Sequence, residues 1–315
     1  MNDLLTIAPE ISQALAQGEP VVALESTLIT HGLPHPVNME TAIDMLQSVR
    51  DAGAVPALIG IMDGRIRIGL APRDLEVMLA SGKQVLKVSR RDLAYTLSQG
   101  LNGGTTVAAT MICARLAGIR IFATGGIGGV HRGVADTMDV SADLEELSRT
   151  PVAVICAGAK AILDLPRTFE YLETKGVPVI GYGTRELPGF YMRETGLSAP
   201  LRLDSPAEIA ALAARHWALG LSGGILIANP PPTQTAMDRV EVEKAIDQAL
   251  ESATEAKISG AALTPYLLDS MTRMTEGRSL RANVALILNN ARLGGQIACA
   301  FAAESAFRPS SALAS

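Results

Sequence analysis

The run Val152-Ala-Val-Ile-Cys156 is apolar at every position, and Ala157-Gly-Ala-Lys160 follows it. Successive side chains of a strand point to opposite faces, so a half-solvated strand alternates and one that does not alternate is buried on both sides. Runs of similar character, broken by Lys87 and Arg120, recur at Val21–Leu24, Leu58–Met62, Val85–Val88, Ile119–Ala123, Val177–Tyr182 and Ile225–Ala228. Between these runs lie longer patterns of helical period. Met39, Ala42, Ile43, Leu46 and Val49 follow Asn38, which reads as an N-cap, and two further helices open at Pro72 and Pro206, the first-turn position that proline favours. From Ser205 onward the pattern is mainly helical, with a long C-terminal helix expected over Ser279–Ala303 and an interruption at Gly294-Gly295. This alternation predicts an α/β fold, a three-layer α/β/α sandwich around a mostly parallel sheet. No linker divides the chain, so residues 1–305 are expected to form one large domain and 306–315 a disordered tail.

Composition bounds what such a domain does. The chain has 315 residues, of which 48% are hydrophobic and only 3% aromatic, so an extensive core must be built from aliphatic side chains. A net charge of -5 offers no counter-charge for a nucleic-acid backbone, and basic runs stop at pairs such as Arg90-Arg91. Any bound anion is therefore expected to be small and held locally. Cys113, Cys156 and Cys299 are scattered through apolar runs, which suits a reducing compartment better than a disulfide framework or zinc site. Met1–Glu10 carries two acids and no basic or apolar signal regions, and the uncharged stretches Leu93–Ala114 and Trp217–Met237 are too polar or proline-rich to span a bilayer. The expectation is a cytoplasmic protein.

In an open parallel sheet, ligands bind beyond the carboxyl ends of the strands. Four polar clusters fall there: Glu25, the Thr124 loop, Lys160 and Asn229. The segment Thr124-Gly-Gly-Ile-Gly-Gly-Val-His-Arg-Gly133 lets bare backbone approach a phosphate, with His131 or Arg132 adding charge; it serves equally well as a tight structural loop. Lys160 is either a Schiff-base lysine, made nucleophilic by desolvation, or an ordinary surface lysine. Lys87, inside an apolar strand, requires an anionic partner or an edge position. Asp136, Asp139 and Asp143 can offer oxygens to a hard divalent cation, or can serve a helix capped by Ser141. His31 and His35 follow Glu25 closely, whereas His216 lies in a helical run and reads as structural. No zinc spacing and no G-x-S-x-G element occurs.

At Val21-Val-Ala-Leu-Glu-Ser-Thr-Leu-Ile-Thr-His-Gly-Leu-Pro34, Lys87-Val-Ser-Arg-Arg-Asp-Leu93, Asn102-Gly-Gly-Thr-Thr-Val-Ala108, Phe122–Gly133, Asp139-Val-Ser-Ala-Asp-Leu144, Cys156–Leu165 and Asn229-Pro-Pro-Pro232 the chain resembles the pseudouridine-5′-phosphate glycosidases, the indigoidine synthase A family. These blocks keep their order from about residue 20 to about residue 300. The resemblance implies reversible cleavage of pseudouridine 5′-phosphate by water to uracil and ribose 5-phosphate, in a manganese-dependent homotrimer. It implies Glu25 as proton donor and Lys160 as nucleophile, Asp139 as ligand of Mn2+, and substrate contacts at Lys87, Thr106, Val107, Ser141, Ala142 and Asp143. By the same similarity Thr124, Gly125, Gly126 and His131 contact the sugar phosphate, and Asn283 is a further active-site residue. Fused members of the family carry a sugar-kinase domain that this sequence lacks, so a separate pseudouridine kinase is expected as pathway partner. Two other readings use the same residues: a different Schiff-base sugar-phosphate lyase, and a sugar-phosphate binding protein without catalysis.

Overall fold

Residues apolar on both faces need neighbours on both faces, and in the computed structural model, which describes residues 4–80, 85–258 and 263–306, they find them. The strands are β1 (Leu5–Ile7), β2 (Val21–Glu25), β3 (Val55–Met62), β4 (Arg65–Ile68), β5 (Val85–Val88), β6 (Asn102–Thr105), β7 (Ile121–Ala123), β8 (Ala153–Cys156), β9 (Val179–Tyr182), β10 (Leu201–Leu203) and β11 (Ile225–Ala228). They join one sheet in the order β1-β4-β3-β2-β7-β8-β11-β9-β10, and β6 pairs with both β3 and β5. Every pairing from β3 through β2 to β10 is parallel, while β3 runs antiparallel to β4 and β6. The central strands β2, β7, β8 and β11 are buried at every position, as their lack of alternation requires. Helices flank this mostly parallel sheet, giving the expected α/β domain. Among the described residues no helix is long and apolar enough to cross a membrane, and the three cysteines are free.

Two details of the helices differ from the expectation. The helix after β2 runs over Val37–Asp51 with Pro36 at its N-cap, so Asn38 is inside the first turn. Its buried amide donates to the Ile29 carbonyl at 3.1 Å and its oxygen accepts from Met39 N at 2.9 Å, so it ties the helix to the preceding turn rather than capping it. The C-terminal helix is continuous over Arg278–Ala306, and Gly294-Gly295 does not interrupt it. A Cβ on Gly294 would lie 2.9 Å from Ala123 Cβ, and one on Gly295 2.5 Å from Ala52 Cβ. Close packing on β7 and on the end of Val37–Asp51 thus offsets the roughly 1 kcal/mol that glycine costs inside a helix. This helix also packs against β2, β8 and the helix Pro206–Ala218, which carries proline in its first turn behind the Ser205 cap. Except for Ala306, the expected tail lies outside the described residues.

Candidate active site

The carboxyl ends of β2, β7 and β8 lie side by side at one level, because Leu24 pairs with Ala123 and Ala123 with Ile155. Glu25 ends β2, Thr124 follows β7, and the turn after β8 returns through Gly158 to Lys160, whose N–H donates to the Ile127 carbonyl at 3.1 Å. These ends open onto a cavity of about 1260 Å3. Glu25, Lys87, Thr106, Val107, Gly125, Gly126, His131, Asp139, Ser141, Ala142, Asp143, Lys160 and Asn283 all line it. Thr124 is not itself part of the lining; its Oγ1 donates to Glu25 Oε1 at 2.5 Å from beneath. Asn229 does not converge on the cavity as its strand-end position suggested. Its amide is buried behind the glycine loop and donates to Asn290 Oδ1 at 2.9 Å.

Glu25 is only 6% exposed, and burial pushes its carboxyl up to about 7. Lys160, the Thr124 hydroxyl and Lys87 pull against that shift by favouring the anion, while Asp143 adds to it. A carboxylic acid that holds its proton near neutrality can act as a general acid. Among the described residues β5 pairs with β6 alone, so Lys87 holds the edge position, and its side chain lines the cavity. Solvent reaches it through the cleft, yet the surrounding walls desolvate it, and with the nearby Lys160 they lower its pKa. Burial likewise lowers the pKa of His31 and His131. His31 bridges the turn after β2 to β5 through Thr30 Oγ1 at 2.7 Å and the Val85 carbonyl at 3.2 Å, and so fixes the strand that carries Lys87.

The two acids near Ser141 have different surroundings. Ser141 caps the helix Ala142–Leu147 by accepting from Asp143 N. Asp143 is buried, and its two carboxylate oxygens accept from Ala108 N at 2.9 Å and Gly128 N at 2.8 Å. It therefore joins three walls of the cavity: the helix Val107–Ala117, the glycine loop and the helix Ala142–Leu147. The Asp139 side chain is 41% exposed, with His131 Nδ1 3.9 Å from its Oδ2. Asp136 is exposed and does not line the cavity. Among the described residues no three His, Cys, Asp or Glu side chains gather as a metal cluster.

The glycine loop turns out to be both tight and open. A Cβ on Gly128 would strike Ser141 and Asp143, one on Gly129 would strike Thr168, and one on Gly126 would come within 2.5 Å of Phe190 Cδ2. Gly125 and Gly126 nevertheless present backbone to the cavity. Phe190, absent from the sequence expectations, forms part of the apolar wall with Leu28, Leu263, Leu268 and Ile287, and holds a left-handed φ of 63°. Thr106, which precedes the helix Val107–Ala117, has a buried hydroxyl with no hydrogen-bond partner among the described residues. Asn290 was also missed; its only signal was a polar residue on the apolar face of the C-terminal helix.

The profile described as indigoidine synthase A like protein matches residues 10–300. The chain belongs to this family, that of the pseudouridine-5′-phosphate glycosidases. The pseudouridine-5′-phosphate glycosidase of Caldanaerobacter subterraneus subsp. tengcongensis is 56% identical over 298 residues, 95% of this chain and 97% of the relative. That of Paracoccus denitrificans is 56% identical over 303 residues, covering 96% of this chain and 100% of its own. Among solved structures, the prealnumycin C-glycosynthase AlnA in complex with ribulose 5-phosphate superposes with a TM-score of 0.90 at 42% identity, covering 97% of this chain and 99% of that one. An indigoidine synthase A-like protein of Thermotoga maritima gives 0.87 at 33% identity, with 95% and 97% covered. The family relation thus spans all the strands that build the cavity.

Proposed function

We propose that this cavity takes pseudouridine 5′-phosphate and water and releases uracil and ribose 5-phosphate, with Lys160 as nucleophile and Glu25 as proton donor. The observation that carries the reading is a buried carboxyl held near neutral pKa, with a lysine close enough to perturb it, on a chain more than half identical to proteins named for that reaction. AlnA, named as a C-glycosynthase and crystallised with ribulose 5-phosphate, supports a sugar phosphate at a carbon-carbon glycosidic centre.

An ordinary glycosidase protonates an oxygen leaving group. Here the leaving atom is C5 of uracil. The sugar ring opens as O4′ leaves C1′ and takes a proton, and Lys160 Nζ bonds to C1′ and loses one. The nitrogen lone pair then forms a C1′ imine while the C1′–C5 pair returns to uracil, where Glu25 delivers a proton to C5. Water hydrolyses the imine to the aldehyde of ribose 5-phosphate and frees Lys160. The 5′-phosphate is assigned to Lys87, the unpartnered Thr106 hydroxyl, and the backbone of Val107, Ser141 and Ala142, where two helices begin. The base lies against Phe190 and the aliphatic wall, with Asn283 able to read a carbonyl or N–H edge.

Asp139, with His131 beside it, offers one free carboxylate and one imidazole, a donor set that fits a Mn2+ ion retaining most of its waters. Such an ion would supply positive charge that orients the substrate. Borohydride added during turnover tests the Schiff base. The expected result is a reduced sugar-phosphate adduct on the peptide containing Lys160, absent from Lys160→Ala. Full turnover under effective borohydride, with neither label nor inactivation, would refute the imine.

A further inference from the structure

We propose that Asn290, on the C-terminal helix, is a positioning residue for the proton donor: it clamps the Thr124–Gly125 turn from behind so that the Thr124 hydroxyl stays on Glu25. This rests on the reading of Glu25 as the acid.

Asn290 is fully buried. Its Nδ2 donates to the Thr124 carbonyl at 2.8 Å and to the Gly125 carbonyl at 3.3 Å, and its Oδ1 accepts from Asn229 Nδ2 at 2.9 Å. Carbonyl oxygens only accept, so these two contacts fix the amide's orientation. Thr124 is then held on two sides, since its own N–H donates to the Ile155 carbonyl at 2.9 Å. With its backbone pinned, its hydroxyl is directed at Glu25 Oε1. A buried amide costs least when bonded, and here both of its donor contacts go to the turn between β7 and the glycine loop while its oxygen is held by Asn229. The chain of contacts runs from Asn229 on β11's exit, through Asn290, to Thr124 and finally Glu25. None of these links touches the cavity except the last.

The groups acting on Glu25 from the surrounding elements are Lys160 and Lys87, which favour the anion, and Asp143, which opposes it. The Cys156 thiol at the end of β8 is pushed up to about 12 by burial and stays neutral, and His31 lies across the cavity on the turn after β2. Against that fixed background the Thr124 hydrogen bond is the one contribution that Asn290 controls.

The test follows the Glu25 carboxyl by carbon-13 NMR, assigned through Glu25→Gln, in the wild type, Asn290→Leu, Thr124→Val and the double variant. Removing a hydrogen bond to the charged form raises the titration midpoint, by about one pH unit for Thr124→Val. Asn290→Leu should move it in the same direction, and the double variant no further than Thr124→Val alone. The alkaline limb of kcat should move in parallel. A wild-type midpoint in folded Asn290→Leu, or additive shifts in the double variant, would overturn the proposal. If Asn290→Leu does not fold, Asn229→Ala keeps the amide but releases its anchor, and an unmoved midpoint there is equally fatal. The NMR readout needs no turnover: moved midpoints without wild-type uracil release would overturn the glycosidase reading and leave Asn290 as the residue that sets Glu25.

Discussion

Replacing Asp143 by asparagine separates its structural carboxylate from Asp139, the proposed metal ligand. In the wild type its two oxygens each accept a backbone N–H, from Ala108 and from Gly128, inside a buried site. An asparagine keeps the shape but turns one acceptor into an NH2 group facing an N–H. One charge-assisted bond is lost, at about 1.5–3 kcal/mol, and a buried amide is left facing another donor, at about 1–3 kcal/mol more. The sum is about 4 kcal/mol, similar to breaking a buried charge interaction. For a chain of this size that corresponds to a fall in Tm of about 8 °C. Activity should fall as well, since the substitution loosens the helix Val107–Ala117 and the glycine loop together. The contrasting variant is Asp139→Asn, whose partly exposed carboxylate should change stability by less than about 1 kcal/mol while abolishing Mn2+ binding in calorimetric titration. Scanning calorimetry and metal titration of both proteins decide the matter. An Asp143→Asn protein that keeps its Tm but loses Mn2+, or an Asp139→Asn protein that melts 8 °C lower and still binds it, would refute the division of roles.

Three further outcomes follow from the cavity's charges. Glu25 must be protonated to donate, so kcat should fall as pH rises through about 7; an alkaline limb unaffected by Glu25→Asp would count against it as the acid. The same group makes folding pH-dependent: its folded pKa of about 7 lies above the 4.5 of an unburied glutamate, so the stability it contributes is present below about 4.5 and lost as pH rises to about 7. Glu25→Gln should flatten that part of the stability profile, and an unchanged slope in denaturant titrations would show that Glu25 is not the group responsible. Lys87→Met should lower kcat/KM for the phosphorylated substrate about 10- to 100-fold, the worth of one charge-assisted hydrogen bond, and should change turnover of unphosphorylated pseudouridine little. Equal losses on both substrates would remove Lys87 from the phosphate.

The sequence was most informative where burial is two-sided. Central strands such as β8 announce themselves because both faces demand apolar residues, whereas β1 and β10 are edge strands of three partly solvated residues each with no such demand. β6 was hidden for another reason: in Asn102-Gly-Gly-Thr105 the glycines read as a turn, but they permit a close approach, since a Cβ on Gly104 would strike the Thr30 side chain. Gly294-Gly295 deceived in the same way, because local propensity cannot see the β7 and helix surfaces that reward a missing Cβ. Of the residues lining the cavity, Glu25 and Lys160 were legible from strand-end logic, Lys87 from its place in an apolar strand and Asp139 from its acid spacing, with the resemblance naming all four. Asn290 and Phe190 were not, because one contacts a carbonyl 166 positions away and the other sits on a left-handed backbone.

The level at which three strands end brings Glu25 and Lys160 to one cavity from strands that are not neighbours in the sheet. Side by side on adjacent strands, a lysine and a glutamate would form an ion pair, and the acid would lose the proton it must deliver. Here β7 separates β2 from β8, so Thr124 stands between Glu25 and the turn leading to Lys160. Burial then works against the carboxylate, the two lysines and one hydroxyl work for it, and the balance falls at about 7. A dianionic phosphate arriving at Lys87 would offset one of those cations and shift the balance toward the protonated acid. On the proposed mechanism the Glu25 proton would therefore be held most firmly when the substrate is in place.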